Sequence, residues 1–210
     1  MKFYPLPEPP FVPQFEPAED TERRIANIAN EDMNAPEWNW CGMCCVRMIA
    51  LVESRRHNLG VPTLEEMYRT ATEKYGVYKT VDGQVVGAYH AELGEYYRED
   101  LGFLTGGMTR RNCTMDGLVD LIRTGRYVVA SVSSEIRNLD GEKPKRKNGH
   151  LVLVYDYEET PNGRVFILHN SAGFASTNTQ RAVRVNEERL QDCFSGSVIW
   201  FWHEIDPSMP

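Results

Sequence analysis

No apolar run in this chain is long enough to span a bilayer. The first thirteen residues hold one lysine and five prolines and lack the apolar core of a signal peptide. The expectation is a cytoplasmic protein with no membrane partner. Positive charge is scarce too: 23 Lys and Arg stand against 30 Asp and Glu, a formal net charge of −7. The densest basic cluster, Lys143-Pro144-Lys145-Arg146-Lys147, sits in an evident loop, so nucleic acid is not an expected partner. Cysteines number five, an odd count with two adjacent and no regular spacing, which argues against a disulfide framework and for a reducing compartment. Cys41-x-x-Cys44 is half of a zinc spacing, but Cys113 and Cys193 are isolated and the histidines are unpaired, so no metal is expected. A thioredoxin-type redox pair would follow a strand directly, and none precedes Cys41. No cofactor is expected and no internal repeat is visible.

What is present fits one ordinary globular domain. The chain has 210 residues, 41% hydrophobic and 25% charged, enough to bury a core without staples. Residues 1–20 read as an extended proline-rich arm, either laid on the body by its aromatic and aliphatic residues or free as a disordered tail. Residues 21–210 read as the domain. Glu19 to Asn30 suggests a short helix with Ile25 and Ile28 inward, then a loop from Met33 to Trp40. A helix begins near Cys41, with Cys45, Met48, Ile49 and Val52 on one face and Arg47, Glu53 and Arg55 polar, and stops near His57-Asn58-Leu59-Gly60. Thr63 and Glu66 form a capping-box pattern before a helix from Leu64 to Lys74. Asp82-Gly83 is a turn, Ala88 to Leu101 a helix through Tyr89, Leu93, Tyr96 and Tyr97, and Gly106-Gly107 a flexible link. Thr114 or Asn112 caps a helix that ends at Gly125.

From there the period changes from helical to alternating. Tyr127–Val132 reads as a strand, 135–148 as a polar loop, and two β-rich runs around Pro161-Asn162-Gly163 as an antiparallel hairpin. Val183 and Val185 suggest another strand, Asn186 to Asp192 a short helix or turn, and Ser197 to Trp202 a last strand. Helices first and strands later predict an α+β fold with helices packed on an antiparallel sheet.

The chemistry converges on Cys41. A thiol in the first turn of a helix meets unpaired N–H groups and the positive end of the helix dipole, which favour thiolate, and Gly42 leaves room beside it. Cys44 and Cys45 read as core packing. A nucleophilic thiol needs a base and a group to orient that base. His150 opens the first hairpin strand and Asn170 ends the second, so the fold-back makes them neighbours. His169, one residue off that register, should point to the opposite face.

The ordered set of a helix-leading Cys41-Gly42, then Gly149-His150 before an apolar strand, then a turn and an apolar strand ending in Asn170 resembles the papain-like cysteine peptidases. It is similar above all to the branch that processes bacteriocins after double-glycine leaders. Residues 116–132 and Val12-Pro13-Gln14 agree with that branch, and the resemblance runs from about Phe11 to Trp202. It implies Cys41 as nucleophile, His150 as general base and acid, Asn170 as orienting residue, and an acyl-enzyme on a peptide, amide or thioester substrate. The resemblance also implies a glutamine about six residues before the cysteine as oxyanion donor, and that position is Ala35. Losing such a donor costs about 2.7–4 kcal/mol. Gln14 is the preferred replacement, with Asn34 and Asn39 nearer in sequence and the Cys41 backbone N–H as second donor. Trp38, Trp40 and Met43 predict an apolar substrate cleft. The same triad would serve an acyltransferase or amide-forming enzyme, and a catalytically inactive peptide-binding domain is the remaining alternative. Oligomeric state is left open.

Overall fold

The computed structural model describes residues 6–57, 60–102 and 106–202. The chain runs α1 (Thr21–Ala26), α2 (Cys41–His57), α3 (Leu64–Tyr75), β1 (Lys79–Val81), β2 (Gln84–Val86), α4 (His90–Glu99), β3 (Gly106–Arg110) and α5 (Met115–Arg123). It continues through β4 (Arg126–Ser133), β5 (Gly149–Thr160), β6 (Gly163–His169), β7 (Val183–Asn186), α6 (Glu187–Cys193) and β8 (Phe194–Trp202). The last six strands in chain order, β3 to β8, make one antiparallel sheet in the order β3-β8-β4-β5-β6-β7. The fold is α+β, as the order of periodicities predicts.

Alternation along the central strands splits the core in two. Tyr127, Val129, Leu151, Leu153, Tyr155, Ile199 and Phe201 face a cluster with α2, α3 and α4. Val128, Ala130, Val132, Val152, Val154 and Val198 face α5 and α6. The sheet is therefore covered on both sides, and α2 occupies the middle of one layer. That position explains a departure from the predicted polar face: Met43 through Val46 and Met48 through Ala50 are all fully buried, and Glu53 is buried too. Of the polar positions only Arg47 and Arg55 reach solvent. The predicted stop of this helix falls partly on Asn58 and Leu59, which lie outside the described residues.

Several local expectations hold for the reasons given. Glu66 N–H donates to Thr63 Oγ1 (3.3 Å) while Thr63 N–H donates to the Glu66 carboxylate (2.9 Å), the reciprocal cap of α3. Thr114, not Asn112, caps α5 by accepting from Gly117 N–H at 3.1 Å. Others change. Ile28 is 44% exposed, because α1 stops at Ala26 and a separate 3-10 turn carries it outward. Tyr89 precedes α4 and is exposed. Asp82-Gly83 is a turn, but it joins two short strands, β1 and β2, that the sequence does not announce. Gly106-Gly107 is no link: it starts β3. A Cβ on Gly94 would lie 2.1 Å from Gly107 O, so these two glycines let α4 touch the sheet edge backbone to backbone.

Residues 6–15 lie along the body. Tyr127 donates to Pro7 O (2.7 Å), His169 Nε2 to Pro9 O (2.8 Å) and Gln14 N–H to Ser171 O (2.9 Å), with Val12 and Phe15 buried. Residues 1–5 of the predicted arm lie outside the described residues. Among the described residues no helix is long and apolar enough to cross a membrane.

Candidate active site

α2 meets β5 at the strand's beginning. Cys41 and Cys45, one helical turn apart, both meet Leu151: Cys45 Sγ–H donates to Leu151 O at 3.7 Å, and a hydrogen bond from the Leu151 backbone favours the ionised form of Cys41. Leu151 Cδ1 would lie 3.1 Å from a Cβ on Gly42, and Ala88 Cβ 2.9 Å. The room left by Gly42 is thus filled by the protein's own chain. His150 is the residue before Leu151, paired with Val132 across the β4–β5 ladder.

The His150 ring is held from its far side. Its Nε2 lies 2.7 Å from Asn170 Oδ1, an oxygen that also accepts from Ala172 N–H at 3.2 Å. Two donors converging on one atom fix it as the amide oxygen, so the imidazole hydrogen is on Nε2 and the lone pair on Nδ1. Asn170 is itself fixed. Its N–H donates to Gln180 O at 2.8 Å, and the 171–180 loop is closed by Thr179 N–H on Phe174 O and by Gln180 Nε2 on Ala18 O and Gly173 O. The predicted neighbours His150 and Asn170 are brought together. His169 lies on the α2 face beside Tyr155 and Phe11, its Nδ1 accepting from Ala182 N–H (3.0 Å), and takes no part in this pair.

Burial sets the electrostatics. Cys41 is 8% exposed, His150 6% and Asn170 2%. Desolvation pushes the Cys41 thiol up, against the backbone hydrogen bonds from Leu151, Gly42 and Cys41 itself that pull it down. Desolvation likewise takes His150 down to about 4, opposed by the Asn170 hydrogen bond and reinforced by the charge of Arg137. At rest the thiol and the imidazole are therefore each neutral. This corrects the expectation of a resting thiolate: the helix terminus is present, but so little water reaches the sulfur that burial outweighs it.

The other predicted residues divide. Gln14 does fold back to the loop before Cys41, but both hydrogens of its Nε2 are committed, to Glu37 O (2.9 Å) and Trp38 O (3.1 Å). It holds the 3-10 turn Pro36–Asn39 and in this arrangement offers no free donor to an oxyanion. Asn39 ends that turn, half-buried, with no side-chain hydrogen bond among the described residues. Trp38 packs edge-on to Phe15 at 4.9 Å beneath Arg24, and Trp40 lines a cleft with Gln14 and Leu64. Met43 is wholly buried in the core and is not among the residues lining the cleft beside Trp40.

A family model described as the Peptidase_C39 like family matches residues 22–195. The chain belongs to that family. It is thereby a papain-like cysteine peptidase by descent, related to the bacteriocin-processing branch, and its α+β architecture agrees. No curated protein matches the chain. The match begins after the proline-rich segment and includes Cys41, His150 and Asn170.

Sequence reasoning missed three contributors near this site. Arg137 lies in the stretch read as a featureless polar loop, where a 3-10 turn at Ser134–Arg137 brings it over the Phe174 ring at 5.3 Å. Leu151 acts through its backbone, which no side-chain pattern reveals. Tyr78 is buried, and desolvation with the neighbouring Cys41 and Cys44 pushes its phenol well above the ordinary value. The signal available for Tyr78 was only an aromatic residue between two glycines.

Proposed function

We propose that this family member is a cysteine peptidase or amidase that cleaves a peptide or amide through an acyl-enzyme on Cys41. The observation that carries the reading is the 2.7 Å bond between His150 and Asn170, which leaves Nδ1 as the free base at the strand start that Cys41 abuts through Leu151. Because thiol and imidazole both rest neutral, the proton passes from Cys41 to His150 Nδ1 as sulfur attacks the carbonyl, and does not wait as a preformed ion pair. His150 then protonates the leaving amine. Water, deprotonated by the same ring, releases the acyl group and restores the thiol. Asn170 holds the ring's orientation throughout. The oxyanion faces the Cys41 backbone N–H, and the side-chain donor is Asn39, since Gln14 is occupied. Residues 1–20 serve as an arm on a single peptidase domain, 21–210.

All five free cysteines are buried, so alkylation by iodoacetamide with peptide mapping reads reactivity and not exposure. The expected result is that Cys41 is labelled first and that His150→Ala slows its labelling at neutral pH. A peptide thioester should in turn leave an acyl adduct on Cys41. Labelling indifferent to His150, together with no adduct, would overturn the mechanism.

A further inference from the structure

Beside the first turns of α2 lies a cleft of about 410 Å³ that includes none of the three triad residues. Trp40, the residue before Cys41, forms one wall, its ring 6.3 Å from that of Tyr68. Gln14, only 5% exposed, lines the cleft as well. Its NH₂ end is turned to the Glu37 and Trp38 carbonyls, so Oε1 is the free end of the amide, and it has no hydrogen-bond partner among the described residues. A buried amide oxygen without a donor marks a place where a donor belongs.

The charges lining the cleft are unequal. Glu16, Glu37 and Glu65 line the cleft, and none of them forms an ion pair among the described residues. Two cations line it too. Arg24 is already engaged, 3.5 Å from Glu31 and stacked over Phe15 at 4.7 Å. Arg47 donates through Nε to Pro62 O at 2.9 Å. Three uncommitted carboxylates thus face one guanidinium. An aromatic wall, an acceptor without a donor and surplus negative charge are the three elements that recognise an alkyl-borne cation.

We propose that this cleft binds a lysine or arginine side chain of a peptide, placing a basic residue at one fixed position relative to the bond at Cys41. That this peptide is a substrate rests on the peptidase reading; the binding does not. A basic side chain would lay its methylenes against Trp40, donate to Gln14 Oε1 and leave its charge among the carboxylates of Glu37, Glu65 and Glu16.

The test separates binding from cleavage. Cys41→Ala protein is titrated with a positional set of fluorescein-labelled, end-capped peptides in which one site at a time carries Lys, Arg, norleucine or Glu, and affinity is read by fluorescence polarisation. The expected result is a single position where Lys or Arg binds about tenfold tighter than norleucine, the size of one cation–aromatic contact plus one exposed charge pair. The surface pair Glu37→Gln and Glu65→Gln, in the same Cys41→Ala background, should erase that preference while leaving the norleucine peptide's affinity unchanged. Equal affinity for all four residues at every position, or a preference for Glu, would overturn the proposal, as would a basic preference that survives the double substitution. Wild-type protein that binds as expected but cleaves none of these peptides would refute the peptidase reading and leave the pocket standing.

Discussion

Acidification should destabilise this protein through His150, by an amount set by the ring's burial. In the folded chain its pKa is down to about 4, against an ordinary 6.5, chiefly because the ring is desolvated. The unfolded chain therefore binds a proton that the folded chain refuses, so stability rises with pH across that interval. The contribution is complete above 6.5 and is lost as pH falls through 4. Two and a half units at 1.36 kcal/mol each give about 3 kcal/mol. Urea denaturation at closely spaced pH values measures it, comparing wild type with His150→Gln, which keeps a donor for Asn170 Oδ1 but does not titrate. His90 and His169, also depressed by burial, move both proteins alike and cancel in the difference. Wild type should lose about 3 kcal/mol more than the variant between pH 7 and 4. Parallel curves would refute the reasoning, because they would mean that water already reaches the ring. The same low value places the acid limb of kcat/KM well below pH 6, where an exposed histidine base would already have failed.

Asn170→Ala should cost about 1–3 kcal/mol of stability, since it leaves the buried Nε2 hydrogen unpaired, and should lower kcat more than it raises KM. Asn170→Asp should restore the acceptor and, by adding a negative charge beside the ring, move the acid limb of the pH profile upward; a limb left in place would sink the assigned contact. Gly94→Ala should destabilise by about 1–3 kcal/mol, as its Cβ would lie 2.1 Å from Gly107 O and α4 must lift from the sheet edge; thermal unfolding at unchanged Tm would contradict that packing.

The parts of this molecule legible in its sequence are those where one local rule acts alone. Thr63 and Glu66 cap α3 because the reciprocal bonds need only four residues. The 149–169 hairpin follows from period-two alternation around a tight turn, and it delivers His150 to Asn170 because pairing is geometric once the turn is fixed. Illegible parts depend on what arrives from elsewhere. Gly106-Gly107 reads as a hinge until Gly94, twelve residues earlier, is seen to need the space. Glu53 reads as surface until the neighbouring layers close over α2.

The site itself shows the same limit in its electrostatics. Sequence locates Cys41 at a helix start and infers a thiolate from the backbone N–H groups there, and those groups are present. Whether they prevail depends on a competing quantity, the loss of water, and that comes with the buried cluster Cys41 joins, which includes Leu151 and Val12 of the arm with Ala88 packed against it, none of which the helix encodes. The arm matters most directly at Cys44, whose Sγ–H donates to Pro13 O at 3.5 Å in the same first turn as Cys41, while Gln14 ties the same stretch of chain to Ser171 beside Asn170. Residues 12–15 therefore brace α2 and the loop after Asn170 at once. Removing them would admit water to both ends of the proposed triad, so the arm helps set the burial that keeps thiol and imidazole neutral.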